Sequence, residues 1–217
     1  IEQLHDALVN NWQGYEQMRS HIIKTTKFFG NNYEISDTIA ARVANSMTEH
    51  FAPKRSNYGY HFLLGNLIGY NQHNKFFGEL LMATPDGRYK GDAISFGIGQ
   101  TDGKDREGLS SLLISVAKLN QNLILCGATV TNILLEEQLI KNDANFEKLV
   151  KLFEAYFKLG GLHFQLNYIS RQDLINAKAD PEKYRSLRVR VSGFSDYFRL
   201  LNEDLQDDII RRTEVKG

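Results

Sequence analysis

The stretch Leu187-Arg188-Val189-Arg190-Val191-Ser192-Gly193-Phe194-Ser195-Asp196-Tyr197-Phe198 sets the frame for the whole chain. Two valines alternate with two arginines from Arg188 to Val191, the period-two pattern of a short strand. Ser192-Gly193-Phe194 breaks that alternation, and an aromatic pair, Tyr197 and Phe198, follows. A glycine at such a corner signals a backbone that needs positive φ or a close approach to another group. The rest of the sequence reads as scaffolding around Gly193.

Immediately upstream, Phe146, Leu149, Val150, Phe153 and Phe157 recur at helical spacing, with Asn145 as the expected cap and Gly160-Gly161 as the stop. The next strand alternates cleanly: Leu162, Phe164, Leu166 and Tyr168 on one face, His163, Gln165 and Asn167 on the other. That polar face reads first as an internal hydrogen-bond ladder holding a neighbouring loop. A sharper alternative has His163 and Gln165 positioning the Gly193 loop. Ser170-Arg171-Gln172-Asp173 reads as a capping box for a helix ending before Pro181. Glu203 to Thr213 forms a last helix with acids early and arginines late.

Toward the N-terminus, Leu4, Leu8, Trp12, Tyr15, Met18 and Ile22 predict one helix over residues 1–24, which Gly14 weakens without breaking. Ser36 is the expected cap of a second helix whose buried face is Ile39, Val43, Met47 and Phe51, stopped by Pro53. Tyr58 to Phe77 is an irregular aromatic stretch in which His61 and His73 lie too far apart for a metal pair on one helix turn. Thr84-Pro85-Asp86-Gly87-Arg88 is turn chemistry, read generically as a surface turn. The glycine-rich run from Gly97 to Asp105 lacks the Lys-Ser/Thr ending of a phosphate loop, and nucleotide binding is rejected. Residues 109–119 read as a short apolar helix and Leu123 to Leu135 as a strand. Alternating helices and strands from about residue 109 onward predict an α/β fold with parallel strands.

Composition narrows the function classes. Lys+Arg and Asp+Glu number 26 each among 217 residues, so no charge footprint points to nucleic acid or an anionic membrane. No apolar run approaches the roughly 18–20 residues of a membrane span. The single cysteine, Cys126, rules out an internal disulfide framework or a Cys-rich metal site, and a reducing cytoplasm is the expected home.

Arg190-Val191-Ser192-Gly193-Phe194 resembles the radical-bearing signature of the glycyl radical enzymes, the family that includes pyruvate formate-lyase. Gly160 to Asn167 and Leu205 to Thr213 resemble flanking blocks of the family in the same order. Thr84 to Arg88 with Gly91, and Gly99 through Gly108 to Leu119, are similar to blocks of its dehydratase-type members. The resemblance implies the C-terminal part of a ten-stranded β/α barrel with the glycine loop inserted into it. Residues 1–82 are then a helical and irregular segment completing the barrel exterior, and 83–217 the C-terminal half-barrel with the glycyl radical domain. It also implies that Gly193 carries the catalytic radical, supported by Arg190, Val191, Ser192 and Phe194, with His163, Gln165 and Asn167 behind them.

The chemistry explains the residue type. A radical on a backbone α-carbon is planar and delocalised into the flanking amide and carbonyl, and a β-carbon would crowd it. Such a radical is vulnerable to oxygen, so the resemblance implies a buried loop that opens for activation. No bound cofactor or metal is implied. An activating enzyme with an iron–sulfur cluster and S-adenosylmethionine installs the radical, which then acts through a cysteine on a facing loop. Cys126 sits in Leu123-Ile124-Leu125-Cys126-Gly127-Ala128, unlike the family's cysteine loop, and reads as a buried apolar residue. The expected partners are therefore the activating enzyme, a larger chain carrying the catalytic cysteine, and a small-molecule substrate. The favoured reading is a radical-bearing subunit or C-terminal fragment of a lyase or dehydratase, not active alone. The alternative is an autonomous spare part that repairs an oxygen-cleaved lyase; the length of the chain and its dehydratase-type blocks count against it. An interaction domain without a radical is disfavoured by the intact block from Arg190 to Phe194.

Overall fold

The computed structural model describes residues 1–60, 71–123, 129–135, 140–191, 193–211 and 214–215. His61, Cys126, Ser192 and the end of the last expected helix at Arg212 and Thr213 lie outside the described residues, as does the side chain of His73. In chain order the elements are α1 (Glu2–Val9), α2 (Glu16–Thr25), α3 (Glu34–Phe51), α4 (Asn71–Leu80), α5 (Gly108–Ala117) and β1 (Val130–Leu135). They continue with α6 (Asp143–Lys158), β2 (His163–Asn167), α7 (Arg171–Ala179), β3 (Arg188–Arg190), β4 (Ser195–Tyr197), α8 (Glu203–Arg211) and β5 (Glu214–Val215).

The expected parallel α/β unit is present as β1-α6-β2. β1 and β2 run parallel from Val130 opposite His163 to Leu134 opposite Asn167, and β5 joins the other edge of β1, also parallel. One face of this sheet is covered by helices. Leu109, Leu112, Leu113 and Val116 of α5 and Leu149 and Tyr156 of α6 bury Ile133 and Leu135, with Phe164 and Leu166 packed alongside. The opposite face carries Val130, Asn132 and Leu134 beside His163, Gln165 and Asn167.

Glycines shape the two approaches to this sheet. α6 ends as expected at Gly160, whose φ is +100°. The Gly161 N–H bonds to Tyr156 O at 3.0 Å and the Gly160 N–H to Phe157 O at 3.1 Å, the paired bonds of a Schellman motif. In the glycine-rich run, Gly97 packs against the backbone of β1. A Cβ on Gly97 would stand 2.2 Å from Val130 O, and the next amide, Ile98, donates to that same oxygen at 3.2 Å. The glycine lets the loop dock against the start of β1.

Several expectations change in the structure, among them the irregular reading of Tyr58 to Phe77, of which the part from Asn71 on is helix α4. The single helix over 1–24 is two, because Trp12 leaves the helix to be fully buried and to donate its indole N–H to Arg88 O at 3.2 Å. Asn11, Trp12 and Gly14 all take positive φ to make that turn (52°, 64° and 79°). Ser36 lies inside α3 rather than capping it, its hydroxyl donating back to Tyr33 O. Asn142, not Asn145, caps α6, its side chain accepting the Asn145 N–H. The apolar stripe of α3 faces solvent, while Asp37 and Thr48 are the buried residues. Asp37 explains the inversion: its carboxylate accepts from Lys118 Nζ at 2.8 Å and from the Ser115 hydroxyl at 3.0 Å.

The Thr84–Arg88 turn is more than surface turn chemistry. Gly87 N–H bonds to Thr84 O, Asp86 accepts the Thr84 hydroxyl, and Arg88 is buried at 8% exposure. Its guanidinium donates to four backbone carbonyls, those of Gly78, Met82, Tyr89 and Asp92. With Trp12 on its own carbonyl, Arg88 joins the N-terminal helices to residues 78–92. A lysine keeps the charge but cannot fan out to four acceptors. Arg88→Lys is expected to lower stability by about 2–4 kcal/mol, through buried carbonyls left without donors. Thermal unfolding followed by circular dichroism checks this.

Candidate functional site

Gly193 stands at the tip of an antiparallel hairpin. β3 and β4 pair in register from Arg188 opposite Tyr197 to Arg190 opposite Ser195, and Val191 N–H continues the ladder to Phe194 O at 2.9 Å. The base of the hairpin is firmly packed. Val189, Val191 and Phe198 are buried against Leu174 and Ala177 of α7 and Ile209 of α8. The tip is open: Gly193 is exposed, and Phe194 beside it is 42% exposed. The buried loop expected for an oxygen-sensitive radical is therefore not supplied by the described chain, which gives the tip one wall only.

The local reason for glycine is conformational. Gly193 has φ +78°, and a Cβ built on it meets nothing within 4 Å. No neighbouring atom demands the absence of a side chain, whereas an L-residue at this φ costs about 1–2 kcal/mol.

The polar face of β2 holds the hairpin in place. Asn167 Nδ2 donates to Arg190 O at 2.9 Å, and Arg190 N–H donates to Asn167 Oδ1 at 2.7 Å. One side-chain amide thus pairs with the β3 backbone as a neighbouring strand would. Two residues earlier on the same face, Gln165 Oε1 accepts the Gly193 N–H at 3.3 Å. The structure brings Gly193, Arg190, Gln165 and Asn167 together by direct bonds. Val191 faces the hydrophobic core instead, and Ser192 is outside the described residues. His163, at the far end of the same face, touches the site electrostatically. Its imidazole pKa is lowered, first by burial and then by the positive charge of Arg190.

Sequence reading missed Asn132. It lies opposite Gln165 in the β1–β2 register, and its only signal was a polar residue inside Val-Thr-Asn-Ile-Leu-Leu. Both of its amide atoms and Gln165 Nε2 are buried without a hydrogen-bond partner among the described residues. A cleft of about 690 Å³ opens beside the hairpin, lined by Asn167, Tyr168, Tyr184, Arg188, Arg190 and Ser195 among others. Among the described residues no group of three or more His, Cys, Asp or Glu is placed to hold a metal, and no helix is long and apolar enough to cross a membrane.

Asn167→Leu removes both bonds to Arg190 and leaves its amide and carbonyl unpaired, an expected loss of about 2 kcal/mol in hairpin docking. Hydrogen exchange at the Arg190 amide should then speed up roughly 30-fold, at about 1.4 kcal/mol per factor of ten. The lowered pKa of His163 means that the unfolded chain binds its proton first as pH falls. Stability should therefore decline as pH drops below about 6.5, the ordinary His value, and decline less in His163→Asn. Urea titrations at pH 7 and pH 5 measure the difference.

Comparison with known proteins gives this arrangement a family. The glycine radical family matches residues 94–199, which contain the whole hairpin, and the pyruvate formate lyase-like family matches residues 1–71. The chain is 34% identical over 220 residues to the probable dehydratase YbiW of Escherichia coli (strain K12), covering 98% of this chain and 27% of that protein. Against the isethionate sulfite-lyase of Bilophila wadsworthia (strain 3_1_6) it is 34% identical over 217 residues, covering 98% of this chain and 25% of that one. It superposes on the glycerol-bound B12-independent glycerol dehydratase from Clostridium butyricum with a TM-score of 0.89 at 32% identity, covering 100% of this chain and 27% of that structure. The chain spans about a quarter of the length of these three relatives. It belongs to the glycyl radical enzymes, and its relatives within that family are dehydratases and lyases.

Proposed function

We propose that this chain is the radical-bearing C-terminal portion of a glycyl radical dehydratase or lyase, and that Gly193 stores the radical. The observation that carries this reading is a glycine at φ +78° at the tip of a hairpin clamped by Gln165 and Asn167, inside the region matched by the glycine radical family. An activating enzyme with an iron–sulfur cluster and S-adenosylmethionine removes one hydrogen atom from the Gly193 α-carbon. The resulting radical takes the hydrogen of a cysteine thiol: the S–H bond breaks, the glycine C–H bond re-forms, and the thiyl radical attacks a small-molecule substrate. The names of the relatives span dehydration, sulfite elimination and decarboxylation, and the reaction here belongs to that range.

The described residues have stated parts in this scheme. Asn167 fixes the β3 backbone, Gln165 holds the Gly193 amide, and the packed hairpin base keeps the tip at a constant height above β2. Arg190 and Phe194 flank the tip, and His163 at the end of the polar face resists protonation because burial and the charge of Arg190 lower its pKa. The cysteine and the cover over the exposed tip come from the three-quarters of the fold that lie outside this chain, in a larger partner or in the same protein. The parallel strands are then part of a ten-stranded barrel, with residues 1–82 on its exterior and 83–217 forming the half-barrel. Without the cysteine-bearing portion the chain is inactive.

Anaerobic treatment of the assembled protein with its activating enzyme is expected to give an electron paramagnetic resonance doublet. Gly193→Ala should abolish it while leaving assembly intact. Exposure of the activated protein to air should cleave the backbone at Gly193, seen as a shortened chain by mass spectrometry. A doublet that survives in Gly193→Ala would sink the assignment.

A further inference from the structure

Helix α3 is built inside out. Its inward side is polar: Asp37 is fully buried in the contact with Lys118 and Ser115, and Thr48 is 4% exposed. Around the rest of the helix runs a ridge of five exposed large apolar residues, Ile35, Ile39, Val43, Met47 and Phe51, exposed by 64%, 56%, 58%, 50% and 39%. They stand four residues apart, the spacing of a single ridge on a helix surface. Each step of four advances about 40° beyond a full turn. The ridge therefore winds from the side opposite Asp37 back toward the body of the chain, which is why exposure falls toward Phe51.

Five contiguous apolar side chains on one outward ridge are not a solvent surface. Nor do they suit a lipid surface, because α3 carries one arginine, no lysine and three acids, and lacks the cationic band of an interfacial helix. The fold to which the chain belongs continues well beyond it, since these matches cover nearly all of this chain but only about a quarter of YbiW, the isethionate sulfite-lyase and the glycerol dehydratase. We infer that the α3 ridge is the docking face for one helix of that remaining, cysteine-bearing portion of the fold. The shape of the ridge selects the occupant: an i, i+4 ridge seats between the matching ridges of another helix, at a crossing angle of about −50°. The inference rests on the reading of this chain as one portion of a larger enzyme, and it adds which surface makes the join.

The test is photocrosslinking in the intact protein, purified anaerobically from cells. A benzoylphenylalanine probe is placed at Val43, on the ridge, or at Thr38, an exposed position on the other side of α3. The Val43 probe should label a single helical peptide of the cysteine-bearing portion, at least tenfold more strongly than the Thr38 probe. Val43→Glu should reduce recovery of the assembled protein at least fivefold, while Val43→Ile leaves it unchanged. Labelling of a second copy of this chain, labelling of lipid, equal labelling from both positions or no labelling would each overturn the inference. The crosslink does not depend on the radical, so the two readings fail separately. A Val43 crosslink without a paramagnetic doublet leaves the docking face standing and removes the radical, and a doublet without the crosslink does the reverse.

Discussion

The arrangement around Gly193 depends on one side-chain amide. Among the described residues β3 pairs with β4, and β1, β2 and β5 pair among themselves. Asn167 bridges the two sheets by offering Arg190 the donor and acceptor that a neighbouring strand would have offered. Gln165 repeats the contact at the tip with a single bond to the Gly193 amide. A connection made of side chains has a property that a continuous ladder lacks. Each bond contributes only about 0.5–1.5 kcal/mol net, so the hold on the tip is weak beside the packing that fixes the hairpin's base. Under the proposed function, in which Gly193 is reached by an activating enzyme and later covered, a weakly held tip on a packed base suits local opening.

The two faces of the parallel sheet divide the work accordingly. The helix-covered face is a conventional apolar core in which Tyr156 is the largest piece; its hydroxyl donates to His163 O, and Gln121 Oε1 receives the Leu162 amide. This fixes the start of β2 from behind. The polar face then holds its side chains at heights set by the strand, two residues apart, with Gln165 under Gly193 and Asn167 under Arg190. Burial of amides on this face is costly unless they are paired, which makes the pairing to the hairpin specific.

At the other end of the chain, Arg88 and Asp37 show how buried charge organises backbone that strands and helices do not. Arg88 gathers carbonyls from the end of α4 and from the irregular residues up to Asp92, and Trp12 fastens the first two helices to the same point. Asp37 draws the polar side of α3 inward and turns its hydrophobic ridge out. A small domain folding for itself would not leave that ridge uncovered; a portion of a larger fold has reason to.

Much of the site was legible in the residues. The alternation from Arg188 to Val191 and the glycine after it give a short strand ending in a corner suited to positive φ, and His163-Phe164-Gln165-Leu166-Asn167 gives a strand with one polar face, because both depend on local periodicity; the pairing of β3 with β4 into a hairpin came from the structure. The Gly160-Gly161 helix stop and the Ser170 cap are local for the same reason. What the polar face grips, the part of Asn132 and the break at Trp12 were decided by residues distant in sequence: Asn167 meets Arg190 23 residues on, and Trp12 meets Arg88 76 residues on. The stripe of α3 is the clearest case. Periodicity established that Ile39, Val43 and Met47 share a side of a helix, but not which way that side faces. An ion pair to Lys118, 81 residues away, settled that direction, because a buried carboxylate must find its cation before an apolar stripe can choose its side.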